Sequence, residues 1–428
     1  MSSPYKIAAV HTLGCKVNFT ETSMLAKQFQ ENGLSLASID DFADIYVINT
    51  CSVTENANVK CDRLVRKIKR INPDAFVVVT GCYAQLKSEE LSKNDYIDLV
   101  VGSNDKLRIP EIINNRAELP VITSKIESVD TFNLSYSSGD RVRSFVKVQD
   151  GCDYNCTFCT IPLARGKSRS SSIGEVVDLV NSLDQKGYKE VVLSGINLGD
   201  FGSGTDDNCY KLLKSIEELT SIPRIRISSI EPNLLTDEII GLISESDRFM
   251  PHLHIPLQSG SDRILKLMSR KYNSRFYSNK IKKIKSKIPN IAIGVDVIVG
   301  FPSETDDDFN ETYKLLSDLE VSYLHVFTYS ERENTTGISL PSKVPQDIRN
   351  KRSKKLRALS DYLKSQFIIN NMSVNHTVLI EGIDDNELHG YTENYIKVRV
   401  DSRGEEVNDL VSVQPVKGSY DSIKGKVL

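Results

Sequence analysis

Between Asp150 and Ser170 the chain reads DGCDYNCTFCTIPLARGKSRS, which places Cys152, Cys156 and Cys159 within eight residues in the spacing C-x3-C-x2-C. Three thiolates on one short loop can wrap a compact inorganic core. Structural zinc wants four ligands, usually as two separated pairs, and no second C-x-x-C pair or nearby histidine completes such a set. Thiolates also select iron–sulfur clusters, and three of them leave one iron of a 4Fe–4S cube without a protein ligand. An iron left open in this way can bind substrate. A zinc knuckle and plain buried cysteines are the competing readings.

Three more cysteines share one topological position. Cys15, Cys51 and Cys82 each close an apolar run (KIAAVHTLGC, DIYVINTC, AFVVVTGC) and precede a helical pattern. In a parallel sheet the strand C-termini lie along one edge, where ligands bind. One cysteine there is most simply a small buried hydrophobe, but three in equivalent places point to shared ligation. Cys61 and Cys209 fall on helices and read as packing residues.

The elements that must position these groups follow from pattern. The 428 residues are 39% hydrophobic and 26% charged with net charge −3, a globular composition for two to four domains. Nucleic-acid binding must then come from local basic patches. No apolar run approaches the ~18 residues of a membrane span, and the N-terminus reads as a first strand and not a signal peptide. Both features predict a cytoplasmic protein with no membrane partner. Thiols stay reduced there, so metal or redox chemistry is favoured over disulfides.

Residues 1–126 alternate short buried strands with helices, which predicts a doubly wound parallel sheet. Residues 127–143 are polar and turn-rich, a linker or a strand pair. Residues 144–371 hold six strand–helix units, which fit a partial barrel or a flat doubly wound sheet equally, and end in a long basic helix after Pro345. Residues 372–428 carry short strands with polar turns, the pattern of a small β-barrel.

With Phe158 before its last cysteine, the C-x3-C-x2-C loop resembles the radical S-adenosylmethionine (SAM) superfamily. LGCKVN, NTCSVT and TGC upstream make the whole chain similar to the methylthiotransferases. The resemblance implies a three-cysteine N-terminal domain, a radical-SAM partial (β/α)6 barrel and a C-terminal TRAM domain. It also implies two 4Fe–4S clusters, one on Cys152, Cys156 and Cys159 and one on Cys15, Cys51 and Cys82. The first would bind and cleave S-adenosyl-L-methionine to a 5′-deoxyadenosyl radical. The second would carry sulfur that a second SAM methylates.

By the same resemblance, SGIN (Ser194, Gly195, Asn197) takes the place of the amino-group-binding turn, although it departs from the Gly-Gly-Glu of the wider superfamily. SSIEP offers Ser229 and Glu231, with a carboxylate suited to a ribose diol, and PLQSGSD offers Gln258 and Ser259. GVDVIVGFPSET offers Asp296 and the Gly300-Phe301-Pro302 turn for an adenine slot. All four segments end predicted strands, where barrel sites form.

Basic stretches bear on the substrate. Arg165, Lys167 and Arg169 follow the cysteine loop. Arg263 to Lys287 holds ten Lys/Arg and no acid, interleaved with Tyr272, Phe276 and Tyr277, and Lys343 to Lys364 holds eight basic residues against two acids. Such runs suit phosphate backbones, though charge runs on helices are commonly solvated faces. From Met372 onward six Lys/Arg face ten Asp/Glu, so RNA contact there must be local, through Lys397 and Arg399 beside Tyr391 and Tyr395. LGCKVN is most similar to the methylthiotransferase type that acts on C2 of N6-threonylcarbamoyladenosine in tRNA, next to the anticodon. That implies a tRNA substrate and a flavodoxin- or ferredoxin-like electron donor, and leaves the sulfur source open. The alternatives are action on isopentenyl-adenosine or on a ribosomal-protein aspartate, and a zinc-stabilised RNA-binding protein with no catalysis.

Overall fold

The computed structural model describes residues 5–51, 55–115, 120–126, 129–139, 142–385, 387–402, 404–419 and 421–428, the side chains of 55–57 aside. Parts of the expected linker 127–143 therefore lie outside the described residues. The first sheet has six parallel strands in the order Ser35–Ala37, Ile7–Leu13, Ile45–Thr50, Phe76–Gly81, Leu99–Val101 and Val121–Ile122. Its central strands are buried almost throughout, because helices cover both faces, each with its own apolar cluster. The two edge strands escaped the sequence reading. Both are two or three residues long and none of their residues is buried, so neither carries the apolar signal of a central strand.

Six further parallel strands follow: Arg143–Lys147, Glu190–Ser194, Arg224–Ile227, His252–His254, Ala292–Val299 and Tyr323–Thr328. Regular pairing runs within the first three and within the last three, and isolated parallel bridges at Ile225–Phe249 and Ser229–His254 join the two groups. Each strand thus lies beside its successor in sequence. A doubly wound sheet reverses its order at a switch point; this one does not, which decides for the open (β/α)6 barrel. One extensive cluster fills the space between strands and helices, with Val146, Leu193, Ile225, Leu253 and Val295 all fully buried.

The helix Gln346–Asn370 leads into a closed five-stranded barrel of His376–Asp384, Glu387–Thr392, Lys397–Asp401, Leu410–Gly418 and Ser422–Val427. Glu387–Thr392 was not anticipated, since ELHGYT holds one aliphatic residue. This barrel docks on the central one through buried charge. Arg224 and Arg226 donate to the Thr392 and Glu393 carbonyls at 2.9 and 3.1 Å, and both pair with Glu190 at 2.9 Å. Burial alone would raise the Glu190 carboxyl, but Arg226, Arg224 and Arg143 hold it at about 2.

The same joint engages the tyrosines of the expected RNA-stacking surface. Tyr391 and Tyr395 stack on each other at 4.8 Å, Tyr395 stacks on His252 at 4.5 Å, and Arg143 and Arg226 lie over the Tyr395 ring. Both rings are half-buried against the central barrel. Among the described residues no helix is long and apolar enough to cross a membrane.

Candidate active site

The cysteine loop after Gln149–Asp150 is closed by backbone contacts. Gly151 has φ +71°, and a side chain there would meet the Lys167 carbonyl oxygen at 1.9 Å, so only glycine permits the approach. The Cys152 N–H donates to the Gly166 carbonyl at 3.1 Å and the Cys159 N–H to the Cys156 carbonyl at 3.0 Å. Tyr154 and Ile161 aim backbone N–H groups at the Cys152 and Cys159 sulfurs, each at 3.4 Å. Arg270 donates to Cys156 Sγ at 3.0 Å and pairs with Glu231. Burial pushes the free thiols of Cys152 and Cys159 up to about 12. Burial raises Cys156 as well, against the pull of Arg270. A bound metal reverses that balance, since a coordinating thiol gives up its proton.

Beside this loop opens a cavity of about 180 Å³ lined by Phe158, Cys159, Gln258, Asp296, Ile298 and Phe327, among others. Its aromatic and aliphatic walls suit a flat heterocycle, and its few polar groups suit orientation. Phe301 does not line it; the ring is fully buried beneath, edge-on to Tyr329 at 5.2 Å. Ser194, Gly195 and Asn197 sit at the tip of Glu190–Ser194 around Gln149, whose Oε1 accepts from the Asn197 N–H at 2.9 Å. Both polar atoms of the buried Asn197 carboxamide lack a protein partner, a state that calls for a polar ligand or water. Ser229 bridges to His254, and the Ser259 side chain is buried. Glu231, expected at a ribose diol, is engaged with Arg270 beside Cys156.

The other trio comes from three neighbouring strands. Register aligns Leu13 with Thr50 and Thr50 with Gly81, so Cys15, Cys51 and Cys82 stand one or two residues past a common line, with strands spaced at ~4.8 Å. Gly81, at φ +96°, passes so close to Thr50 that a side chain would meet its carbonyl oxygen at 2.4 Å. Cys15 is reached by solvent although protein crowds it, Cys51 is half-buried and Cys82 buried. Cys15 Sγ donates to Asn18 Oδ1 at 3.4 Å.

Arg165 ties this trio to the central barrel. Its Nε donates to Cys82 Sγ at 3.3 Å, its NH1 to Glu21 at 3.0 Å and Asp150 at 2.8 Å, and its NH2 to Asn18 at 2.7 Å. Glu21 also receives Lys106 at 2.6 Å and Lys147 at 3.2 Å. Burial disfavours the Glu21 charge, but these three cations hold its carboxyl well below the usual range. Arg165 is 2% exposed, so the phosphate-facing role suggested by its basic run is wrong.

The same holds within the longer basic runs. Tyr272 and Tyr277 are core residues whose hydroxyls donate to the Leu257 and Ile255 carbonyls. Arg349 and Arg352 are buried on Glu331 and Glu304. Exposed positions remain along Lys271–Lys287, with Phe276 40% exposed among them.

Each trio is all thiol. Among the described residues the group of three ligand-type atoms mutually within 4.8 Å is His254, Asp296 and His325. Neither cysteine trio closes to the roughly 3.8 Å that thiolates take around one tetrahedral zinc.

The loop, the open barrel and the cavity are those of a radical SAM protein, and the comparisons agree. A model of the radical SAM superfamily matches residues 146–316, and one described as uncharacterized protein family UPF0004 matches residues 7–102. Two proteins named threonylcarbamoyladenosine tRNA methylthiotransferase MtaB are similar over nearly the full length. That of Bacillus subtilis is 37% identical over 98% of this chain and 95% of its own, and that of Aquifex aeolicus 40% over 95% and 99%. A Clostridium tetani protein named tRNA-2-methylthio-N(6)-dimethylallyladenosine synthase is 32% identical over 97% and 95%. Among solved structures, the radical SAM methyltransferase TsrM from Kitasatospora setae shares the fold, with TM-score 0.58 and 12% identity over 78% of this chain and 77% of that one.

The chain belongs to the radical SAM methylthiotransferases, of the MtaB type. Its superfamily carries SAM and a 4Fe–4S cluster.

Proposed function

We propose that this protein adds a methylthio group to C2 of N6-threonylcarbamoyladenosine in tRNA, in the cytoplasm, with a second 4Fe–4S cluster and a flavodoxin- or ferredoxin-like electron donor. The observation that carries this reading is the near full-length similarity to two proteins of that name. Cys152, Cys156 and Cys159 would hold one cluster, and Cys15, Cys51 and Cys82 the other. When bound, the first cluster with SAM supplies a radical able to take hydrogen from an unactivated carbon, which no side-chain base removes at useful rates.

The chain's own residues bind and orient. Arg270 steadies Cys156 and keeps Glu231 beside it. The unpartnered Asn197 amide is available to the polar end of SAM, and the cavity at Phe158 and Ile298 takes the adenine and excludes water. Arg165 steadies Cys82 and holds the two trios in one frame.

Nucleoside mass analysis of tRNA from cells lacking the protein tests the assignment. The expected result is N6-threonylcarbamoyladenosine accumulating at the expense of its 2-methylthio form. Loss of the methylthiolated isopentenyl nucleoside in its place overturns it. In anaerobically purified protein about eight irons with matching sulfide are expected; zinc without sulfide favours the RNA-binding alternative.

A further inference from the structure

The joints that the central barrel makes with its two neighbours are rich in cations, and nearly all are spent. Arg143 pairs with Glu381 at 2.5 Å and Glu190 at 3.8 Å. Arg224 and Arg226 share Glu190 and hold backbone carbonyls. Arg165 is locked on Glu21 and Asp150, and Arg270 on Glu231.

Lys16 differs. It follows Cys15 directly and opens the helix Lys16–Glu31. Solvent reaches it although protein crowds its amine, it lies near Tyr395, Arg143 and Arg226, and among the described residues its amine makes no hydrogen bond and meets no carboxylate. The two arginines near it, Arg143 and Arg226, are matched by Glu381 and Glu190, so Lys16 carries the charge left over. Such a place attracts an anion.

A stacking surface leads from there toward the cavity. Tyr395 lies on His252 at 4.5 Å, and His252 bonds the Tyr323 hydroxyl at 2.7 Å. Tyr323 meets His325 at 5.2 Å, His325 meets His254 at 5.2 Å, and His254 bonds Asp296 at 2.8 Å. Asp296 lines the cavity that Cys159 also lines. His325 is exposed on the inner face of the last barrel strand, the arrangement expected of a platform for a flat base.

In adenine, C2 and the carbon bearing N6 flank the same ring nitrogen. A base that turns C2 toward the Cys15 trio therefore brings its N6 substituent to the same neighbourhood. A threonylcarbamoyl group ends in a carboxylate; an isopentenyl group is neutral. We infer that Lys16 is the specificity-determining residue that binds the substrate's threonyl carboxylate. This rests on the proposed function and deepens it.

Cluster-loaded protein is titrated with anticodon stem-loops carrying N6-threonylcarbamoyladenosine or its threonyl carboxamide, which removes the charge with little change in size. Wild type is expected to favour the free acid by about 10- to 100-fold, as for a charge-assisted hydrogen bond. Lys16→Gln brings that ratio close to 1, and Lys16→Arg keeps most of it. A fold defect weakens both ligands together and leaves the ratio standing, so it cannot imitate this result. A wild-type ratio near 1, or a ratio unchanged in Lys16→Gln, overturns the inference. Turnover with the same tRNA separates the two failures. A wild type that methylthiolates the threonylcarbamoyl nucleoside yet shows no ratio defeats only the role of Lys16. A wild type that forms no such product defeats the proposed function and this inference with it.

Discussion

The two cysteine trios solve one problem in opposite ways. Cys152, Cys156 and Cys159 lie within eight residues, and backbone N–H groups of Tyr154 and the nearby Ile161 point at two of the sulfurs. Cys15, Cys51 and Cys82 come from three strand ends and meet because those strands are neighbours in register. Each trio has one sulfur bonded by a buried arginine, Arg270 at Cys156 and Arg165 at Cys82. Arg270 serves its own barrel, whereas Arg165 reaches across a seam where Thr20 bonds Ser135 at 2.9 Å and Phe19 packs edge-on to Phe145. A local loop carries its geometry with it; a dispersed trio depends on the packing of whole elements.

The largest expected effect separates the trios by chemistry. Cys156→Ala is expected to abolish SAM cleavage, read as 5′-deoxyadenosine, while Cys82→Ala keeps cleavage but forms no methylthiolated product. Each loses about half of the iron expected for two cubane clusters. If both variants fail at the same step, the division of labour is wrong.

Next in size is the seam. Arg165→Met leaves Glu21 and Asp150 buried with less compensation and should cost about 3–5 kcal/mol in urea unfolding. Arg270→Met strands one carboxylate that is 14% exposed and should cost less. The reverse order would mean that the loop, and not the seam, is the dependent structure.

The smallest effect is in acid. The folded-state Glu21 carboxyl lies well below its ordinary 4.5, so its contribution is complete above that value and is lost as pH falls below it. The gap in urea midpoint between wild type and Glu21→Gln should be widest near pH 7 and narrow below pH 4.5. A gap that widens in acid would contradict the pairing.

Much of the site was legible because its signals are short-range. The C-x3-C-x2-C loop lies within one stretch, and the strand–Cys–helix pattern recurs three times. The buried arginines were not. Arg165, Arg270, Arg349 and Arg352 lie inside basic runs that read as phosphate surfaces, and nothing local distinguishes a buried guanidinium from a solvated one. Their acid partners lie 15 to 144 residues away. Tyr272 was misplaced for the same reason, since an aromatic beside a lysine fits a core and an RNA surface alike.

By itself the sequence determined most element types and the places where thiols gather, because apolar periodicity and cysteine spacing are properties of neighbouring residues. Tertiary structure decided that the C-terminal tyrosines pack half-buried on the central barrel and that, among the described residues, Lys16 is left without an acid partner. Those outcomes depend on which distant charges and surfaces meet, and no local pattern encodes that.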